Sequence, residues 1–304
     1  MKVYIPRHTG GAGLWIYEGY KAAWAAEGFQ SEYIDGVPTD TPDQYDAMLV
    51  EGALCHESMN KILPFLEKAR KVYMFVQPTS FPEPWVAHPN FRSSSTDFFI
   101  EEINNLDNVI LWSFTNSSGT DYYDKWKFIN YIPLAFDDIN YSPVKNSSYN
   151  FDICYVGGWA NNGFNEKKHI LEEYILEIDK LGLRMEVCID RGISLQHEAN
   201  ILYNSKIAIN LHDKYQQVLG LDTNERTFKS LGLTGFMISD EVKAIGELFP
   251  DVKMGSSPKE MSNLIKKYMD YDMKDLKEKN RDLISANHTY RNRVTQLLGA
   301  NNES

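Results

Sequence analysis

Short apolar runs alternate with longer segments of helical periodicity along the first part of the chain. A β-rich run at 2–6 leads through a glycine-rich loop into 14–29, where apolar side chains recur at helical spacing until Gly28 interrupts them. Another apolar run follows at 31–35. Strand, helix and strand in so short a stretch form a βαβ unit, which predicts a parallel sheet. The alternation continues with strands at 45–52, 71–78 and 108–114 and helices at 56–69 and 96–106.

A second series of the same kind begins at residue 151, after an irregular stretch at 116–150 that is rich in Asn, Ser, Tyr and Pro. A chain of 304 residues exceeds the size at which one core usually stops growing, so the irregular stretch is interpreted as a domain junction. The second series predicts strands at 151–158, 184–189, 206–212 and 236–239 and helices at 165–182, 194–205, 224–235, 241–249, 259–270 and 273–299.

The fold class predicted from this pattern is α/β, with two successive doubly wound, Rossmann-like domains. The N-terminal domain is assigned to 1–145 and the C-terminal domain to 146–285. Residues 286–304 are assigned to a terminal helix and tail, and we expect this helix to pack back on the first domain.

Composition and charge limit the classes of partner and the cellular compartment that we expect for this protein. The net charge of −11 disfavours a protein whose main surface grips a nucleic-acid backbone, although a local basic patch such as 167–169 is compatible with it. Cys55, Cys154 and Cys188 are isolated, with neither disulfide nor zinc spacing. The sequence shows no signal-peptide pattern at its start and no run of 18 apolar residues, so a cytoplasmic protein without a membrane span is expected.

Two glycine-rich loops follow predicted strands. The first contains Gly10, Gly11 and Gly13, but it lacks the full spacing of a dinucleotide fingerprint, so a nicotinamide enzyme is only weakly supported. Gly157 and Gly158 end the strand at 151–158. Glycine at such turns allows a close approach of the backbone to a ligand, and ligands of open α/β sheets bind at the carboxyl ends of the strands.

The segment at 224–249 carries the clearest chemistry. Asn224 is a good helix N-cap, and Arg226 lies in the first turn of the helix that it caps. A guanidinium and free backbone N–H groups at one helix start favour anionic oxygens, which is typical of a diphosphate site. A surface salt bridge is the alternative role for Arg226.

This segment resembles the C-terminal module of group 1 glycosyltransferases of the spore-maturation-protein-like (CgeB-like) type. The likeness extends over about residues 128–298. It is carried by Asn224, Arg226, Phe228, Gly235, Asp240, the Glu-Leu-Phe run at 247–249, and His288, Thr289, Tyr290 and Arg293. The resemblance implies a GT-B fold, in which two Rossmann-like domains face each other across a cleft and the C-terminal domain holds a nucleotide-sugar.

The resemblance also implies roles for individual residues. Arg226 would contact the donor diphosphate, Asn224 would cap the donor-site helix, and the loops with Gly10, Gly11, Gly157 and Gly158 would approach the phosphates. The family position that commonly holds the nucleotide ribose with a Glu is Lys229 here, and lysine cannot accept hydroxyl hydrogen bonds. Asp222 or Glu225 would substitute at the ribose, or Lys229 would add a phosphate contact.

Two residues are candidates for a general base that deprotonates an acceptor hydroxyl. Glu51 ends the strand at 45–52, and His8 lies on the first glycine-rich loop with a suitable intrinsic pKa. Trp85 is an acceptor-side candidate for stacking, or part of a rigid surface crossing. No metal or further cofactor is expected, because the Asp-Tyr-Asp run at 270–272 falls in a charged inter-helix turn.

These features predict a glycosyltransferase that moves a sugar from a nucleoside-diphosphate donor, UDP-sugar by expectation, to an acceptor hydroxyl. The acceptor could be a glycan, a protein, a small molecule or a modified nucleic-acid base, and the oligomeric state stays open. A nucleotide-sugar epimerase of the same fold and a non-catalytic nucleotide-sugar-binding protein are the alternatives.

Overall fold

The computed structural model describes residues 2–8, 11–34, 45–51, 59–85, 96–116, 118–158 and 166–302. Their contacts divide the chain into two compact units. Unit 1 consists of Met1–Pro133 together with Arg291–Ser304, and unit 2 consists of Leu134–Tyr290.

Unit 1 is built on a sheet whose strands all pair in parallel, in the order β2-β1-β3-β4-β5-β6. The strands are β1 (Lys2–Pro6), β2 (Gln30–Ile34), β3 (Tyr45–Glu51), β4 (Ala69–Phe75), β5 (Val109–Ser113) and β6 (Ile129–Tyr131). The helices described in this unit are α1 (Gly11–Ala26), α2 (Met59–Lys68), α3 (Asp97–Asn104) and α11 (Tyr290–Gly299), of which α11 begins at the last residue of unit 2.

Unit 2 repeats this plan with the parallel order β11-β10-β9-β7-β8. The strands are β7 (Phe151–Gly157), β8 (Met185–Ile189), β9 (Ser205–Asn210), β10 (Met237–Asp240) and β11 (Lys253–Gly255). The helices are α4 (Lys167–Asp179), α5 (Leu195–Tyr203), α6 (Lys214–Leu219), α7 (Glu225–Leu233), α8 (Lys243–Leu248), α9 (Pro258–Met269) and α10 (Lys274–Asn287), with a short 3₁₀ turn at Ser147–Tyr149.

The central strands are continuous apolar runs because helices cover both faces of a doubly wound sheet. Every residue of β5 is buried, as are the last four of β4. In unit 2 the buried side chains of β7, β9 and β10 form one core cluster with residues of α4 and α9. The two units therefore have separate cores.

The connector between the units is irregular but well packed. Leu134, Ala135, Phe136 and Tyr141 are all buried, and Phe136 lies against Gly232 of α7, where an added Cβ would meet its ring at 3.0 Å. These contacts assign the connector to unit 2, whereas the composition shift put the junction near residue 145. Composition reveals an irregular backbone, but the packing of side chains decides which core that backbone joins.

The last predicted helix is divided in two. The chain leaves helical geometry at His288, and Thr289 forms a β-bridge with Phe136. The Phe136 N–H donates to the His288 carbonyl at 2.8 Å, and the Tyr290 N–H donates to the Phe136 carbonyl at 3.1 Å. After the break α11 belongs to unit 1, where the buried Arg293 donates to the Pro133 carbonyl at 2.7 Å. The expected return of the terminal helix to the first domain is confirmed.

Three short elements escaped the sequence pattern: β6, β11 and α6. Each has six residues or fewer, which is too short for a period to emerge from the surrounding polar residues. Among the described residues, no helix combines the length and apolar character that a membrane crossing requires.

Candidate functional site

The sheet of unit 2 reverses its strand order beside β7. The chain passes from β7 to β8 on one side and then to β9 on the other, so the loops after β7 and β9 diverge. Such a switch point opens a crevice at the carboxyl ends of the two strands, and ligands of open α/β sheets bind there. Gly157 and Asn210, the last residues of β7 and β9, mark this edge.

Helix α7 starts at the same edge. The side chain of Asn224 accepts a hydrogen bond from the Thr227 N–H at 3.2 Å, so the predicted N-cap is confirmed. The Asn224 side-chain amide donates to the Leu211 carbonyl, one residue beyond β9, at 3.3 Å. The positive end of α7 therefore lies next to the carboxyl end of β9, where it favours an anion.

The guanidinium of Arg226 spans the switch point. Its Nε donates to the Val156 carbonyl of β7 at 2.7 Å, and its Nη1 donates to Asn210 Oδ1 at 3.1 Å and to the Leu211 carbonyl at 3.2 Å. The cation also lies over the ring of Tyr155, 4.7 Å from its centroid. Arg226 is half-buried and is fixed by β7 and β9 together, and no carboxylate is among these partners. It is thus a positioned cation at the place where a ligand would enter.

Glycine at position 157 is required by this arrangement. A Cβ there would lie 2.6 Å from both Cζ and Nε of Arg226, which is closer than a real Cβ contact allows. A Cβ at the exposed Gly158 would lie 2.6 Å from Asp190 Oδ1. At both glycines the close approach is made by a side chain of the protein itself, and an approach of the donor phosphates to them stays a prediction.

Lys167, the first residue of α4, is a second cation at this edge. Its side chain is buried, and its ammonium donates to the Leu211 carbonyl, which also accepts from Arg226. Burial, followed by repulsion from Arg226, lowers the pKa of Lys167 to about 7. An anion bound here would offset the repulsion between Lys167 and Arg226 and would therefore raise the pKa of Lys167. The sequence pattern indicates Lys167 only as part of a basic patch at 167–169, although a lysine that opens a helix after a glycine loop is a signal for this role.

Behind the two cations lies a network of buried polar side chains. His212 Nδ1 is 2.6 Å from Asp240 Oδ1, and the His212 backbone N–H donates to the other carboxylate oxygen at 2.7 Å. His212 Nε2 is 2.8 Å from the Thr223 hydroxyl, which in turn contacts the Thr227 hydroxyl. Burial alone would raise the pKa of Asp240, but the charge and hydrogen bond of His212, with Lys167 and Gln217, lower it to about 2.

Lys229 lies in a different environment from Arg226. Its ammonium is 2.8 Å from Glu198 Oε1 and 3.7 Å from Glu225 Oε2, and Glu198 also accepts from the Tyr141 hydroxyl at 2.7 Å. Burial alone would lower the pKa of Lys229, but the two carboxylates outweigh it and raise the pKa. The ammonium of Lys229, which the sequence predicts as a phosphate contact, is therefore paired with two carboxylates of the protein.

The two predicted ribose ligands are also engaged. Burial raises the pKa of Glu225, with the charge of Lys229 acting against this shift. Asp222 is buried and accepts from Gln216 Nε2 at 2.7 Å. Their roles at a ribose stay predictions.

The candidates in unit 1 lie at the corresponding switch point, between β1 and β3. His8 follows β1 by two residues; its ring is stacked on Tyr17 at 4.6 Å, and a Cβ on Gly13 would lie 2.6 Å from its Nδ1. Glu51 is the last residue of β3, and its side chain lies outside what the structure describes, as does Gly10. Gly11 opens α1 with a φ of 64°.

Trp85 and two aspartates of the acidic run at 270–272 lie in surroundings that favour a structural role. Trp85 is 5% exposed, so its faces are covered, and a sugar could not stack on it in this arrangement. Asp270 caps the end of α9, and Asp272 accepts from the Lys274 N–H at 3.0 Å at the start of α10. No cluster of three or more His, Cys, Asp or Glu in the described ranges is arranged to hold a metal ion.

Part of the chain is similar to a known protein family. Residues 179–299 match the model of a family described as glycosyl transferase-like. No curated protein sequence matches the chain.

The solved structures that are similar to this chain include three that match it over almost its whole length. An alpha-glucosyltransferase in complex with UDP-glucose and DNA containing an abasic site has a TM-score of 0.56 at 10% identity and covers 98% of both chains. A structure described as trehalose-6-phosphate from E. coli bound with UDP-2-fluoro glucose has a TM-score of 0.58 at 8% identity, again with 98% of both chains. A glycosyltransferase involved in avilamycin A biosynthesis has a TM-score of 0.52 at 12% identity, covering 98% of this chain and 96% of its own. The fold is GT-B.

Proposed function

We propose that this GT-B protein is a glycosyltransferase that transfers a sugar from a UDP-sugar to an acceptor hydroxyl. The observation that carries the proposal is the pair of cations, Arg226 and Lys167, at the switch point of the unit 2 sheet. The match to a glycosyl transferase-like family over 179–299 includes α7 and the network behind it. Two of the similar structures contain UDP-glucose or a fluorinated analogue, which supports uridine as the nucleoside of the donor.

The diphosphate of the donor would bind to Arg226, to Lys167 and to the N-terminal N–H groups of α7. Guanidinium and ammonium groups stabilise the negative charge that grows on the leaving diphosphate as the sugar bond breaks. Positioned donors do this without reorganisation, and their effect is largest where water is excluded. Because these cations supply the charge, we propose a reaction that is independent of a metal ion and of any further cofactor.

The acceptor hydroxyl would lose its proton at the unit 1 edge. His8 is the base that we propose, since its ring is fixed by Tyr17 and by the close approach of Gly13. Glu51, at the end of the neighbouring strand, is the second candidate. Proton transfer of this kind contributes about 10²–10⁴-fold to the rate.

The identity of the acceptor is a finer proposal. The similar structures include one with DNA and one involved in making avilamycin A, so the fold serves acceptors of very different chemistry. The net charge of −11 favours an acceptor without a polyanionic backbone. We further propose that the chain belongs to the CgeB-like type and works in the cytoplasm, where the thiols of Cys154 and Cys188 would stay reduced.

Nucleotide binding and sugar transfer together test the proposal. Thermal stabilisation would be measured with UDP, GDP and ADP, followed by titration calorimetry of UDP and by release of UDP from UDP-sugars with and without acceptors. We expect UDP to bind and Arg226→Ala to weaken it about 100-fold, because a charge-assisted hydrogen bond contributes about 1.5–3 kcal/mol.

Arg184→Ala is the matched control, since Arg184 lies over Phe151 at the opposite end of β7. It should leave UDP affinity unchanged. A wild-type protein that binds no nucleotide, or an Arg226→Ala variant that binds UDP normally, would contradict the proposal. Donor consumption that needs no acceptor and gives an isomeric sugar would indicate an epimerase instead.

A further inference from the structure

Five polar side chains are buried behind the guanidinium of Arg226 in unit 2. They are Asn210, His212, Thr223, Thr227 and Asp240, and none is more than 4% exposed. A buried polar group without a partner costs stability, so a cluster of this kind is tolerated only when its hydrogen bonds are satisfied. None of these buried side chains would touch the donor under the proposed function, so any effect that they have on donor binding is exerted through another residue.

The hydrogen bonds of the cluster form a continuous path, and Asn210 Nδ2 also lies 3.5 Å from His212 Nε2 beside it. Arg226 Nη1 donates to Asn210 Oδ1 at 3.1 Å, and Asn210 Nδ2 lies 2.8 Å from the Thr227 hydroxyl. Thr227 contacts Thr223, whose hydroxyl is 2.8 Å from His212 Nε2. His212 Nδ1 completes the path at Asp240, 2.6 Å away.

The chemistry of the donors fixes the orientation of Asn210. Asp240 is ionised and accepts only, so His212 Nδ1 carries the proton between them. Arginine only donates, so Asn210 presents its amide oxygen to Arg226 and its Nδ2 to the Thr227 hydroxyl. Hydroxyl groups both donate and accept, so Thr227 and Thr223 connect this amide to His212 Nε2.

The far end of the path is rigid. Besides the two nitrogens of His212, Asp240 accepts from Gln217 Nε2 at 2.8 Å and from the Ser239 hydroxyl at 3.1 Å. Asp240 also ends β10, so the carboxylate is anchored to the sheet. The orientation of the imidazole is therefore set by the fold and does not depend on a ligand.

We propose that His212 is a positioning residue, which orients Asn210 through Thr223 and Thr227 and so holds the Arg226 guanidinium ready for the donor diphosphate. This inference rests on the proposed function, because it assigns the role of a residue behind the same site. Arg226 keeps its contacts with Val156 and Leu211 when the path is broken, so the guanidinium loses orientation but stays at the edge.

Removal of one hydroxyl in the middle of the path provides the test. Thr223→Val keeps the shape of the side chain but neither donates to His212 nor accepts from Thr227. We expect UDP affinity to fall about 5- to 10-fold and the KM for the UDP-sugar to rise. The reason is that one hydrogen bond in such a network changes a binding constant by up to about tenfold. Thr223→Ser, which retains the hydroxyl, should restore most of the affinity.

Thr234→Val is the matched control. Thr234 is a fully buried threonine at the other end of α7, and its hydroxyl donates to the Leu202 carbonyl outside the path. It should lower thermal stability by a similar amount but leave UDP affinity unchanged. Should Thr223→Val fail to fold, Thr227→Val removes the adjacent hydroxyl and repeats the test.

A double-mutant cycle with Arg226→Ala decides whether the effect passes through the arginine. In the Arg226→Ala background, Thr223→Val should cause no further loss of UDP affinity. An equal loss in both backgrounds, or no loss in either, would overturn the inference. Failure of the proposed function gives a different result, since Arg226→Ala alone would then leave UDP binding intact.

Discussion

The two units have the same order over their first five strands but different chemistry at the carboxyl edge. In each, the first strand is flanked by the second on one side and the third on the other, so β1 corresponds to β7 and β3 to β9. At the unit 2 edge, Arg226 and Lys167 are supported by a buried polar network. At the unit 1 edge, the described residues are mainly aromatic, with His8 on Tyr17 and Phe75 stacked on Phe114 at 4.7 Å. Topology thus determines where ligands bind, and the side chains determine which ligand binds.

Each edge also has a glycine that leaves room for the side chain of one candidate residue. Gly157 leaves room for the guanidinium of Arg226, and Gly13 leaves room for the imidazole of His8. We therefore expect the two edges to have separate functions, with anion binding in unit 2 and proton transfer in unit 1. The following experiments test this separation.

The largest effect is expected from the unit 1 base. His8→Gln should lower the rate of transfer about 10²–10⁴-fold, because a general base is lost, while UDP affinity stays within about twofold. The measurement is kcat with a saturating UDP-sugar, beside calorimetry with UDP. Glu51→Gln is made in parallel: if it removes transfer and His8→Gln does not, the base is Glu51.

The two glycines are expected to separate the functions of the edges. Gly157→Ala should weaken UDP binding about 30- to 100-fold, since the new Cβ displaces the guanidinium. Gly13→Ala should reduce transfer by displacing His8 without weakening UDP. Gly246→Ala is the control, because its Cβ would meet only Met254 Cε at 3.4 Å. Equal effects of the first two variants on UDP affinity would argue against two separate functions.

The pH dependence of donor affinity should report on Lys167. The free protein has a pKa of about 7 at this residue, and an adjacent diphosphate raises it. Below that pH the ammonium is already charged, so the Kd for UDP-glucose should be constant. Above it the complex must take up a proton, so the Kd should rise by up to about tenfold per pH unit.

Lys167→Arg is the control for this titration, because a guanidinium stays charged over the whole range. Its Kd should be independent of pH between about pH 6 and 9. A wild-type Kd that is flat across the same range would remove Lys167 from the donor site. UDP-glucose is the probe of choice because it lacks a terminal phosphate, whose own second pKa lies near 6.

The smallest effect on function is expected at Lys229. Lys229→Met leaves Glu198 and Glu225 buried without their cation, so the free energy of unfolding should fall by about 3 kcal/mol. UDP affinity, measured below the melting temperature, should change little if Lys229 is only structural. A loss of affinity comparable with that of Arg226→Ala would restore Lys229 as a phosphate ligand.

Local patterns were sufficient where the cause of a feature is local. The central strands, the cap at Asn224 and the helix start that carries Arg226 could be predicted because each depends on neighbours in the sequence. Gly157 could be predicted as a close-approach position, although its partner is an arginine almost 70 residues away. The sequence shows that Lys229 stands where the family commonly has a Glu. It does not show that Glu198 on α5 is the partner of this lysine.

The sequence by itself determined two doubly wound halves, a helix start with a guanidinium and the glycines beside it, since hydrophobic periodicity and capping act over a few residues. Only the tertiary structure decided that Lys167 joins Arg226 at the Leu211 carbonyl and that His212 faces Asp240. It also broke the last helix at His288 to pair with the connector. These outcomes depend on strands that pair across long sequence separations, because the sheet brings side chains together by register and not by their distance along the chain.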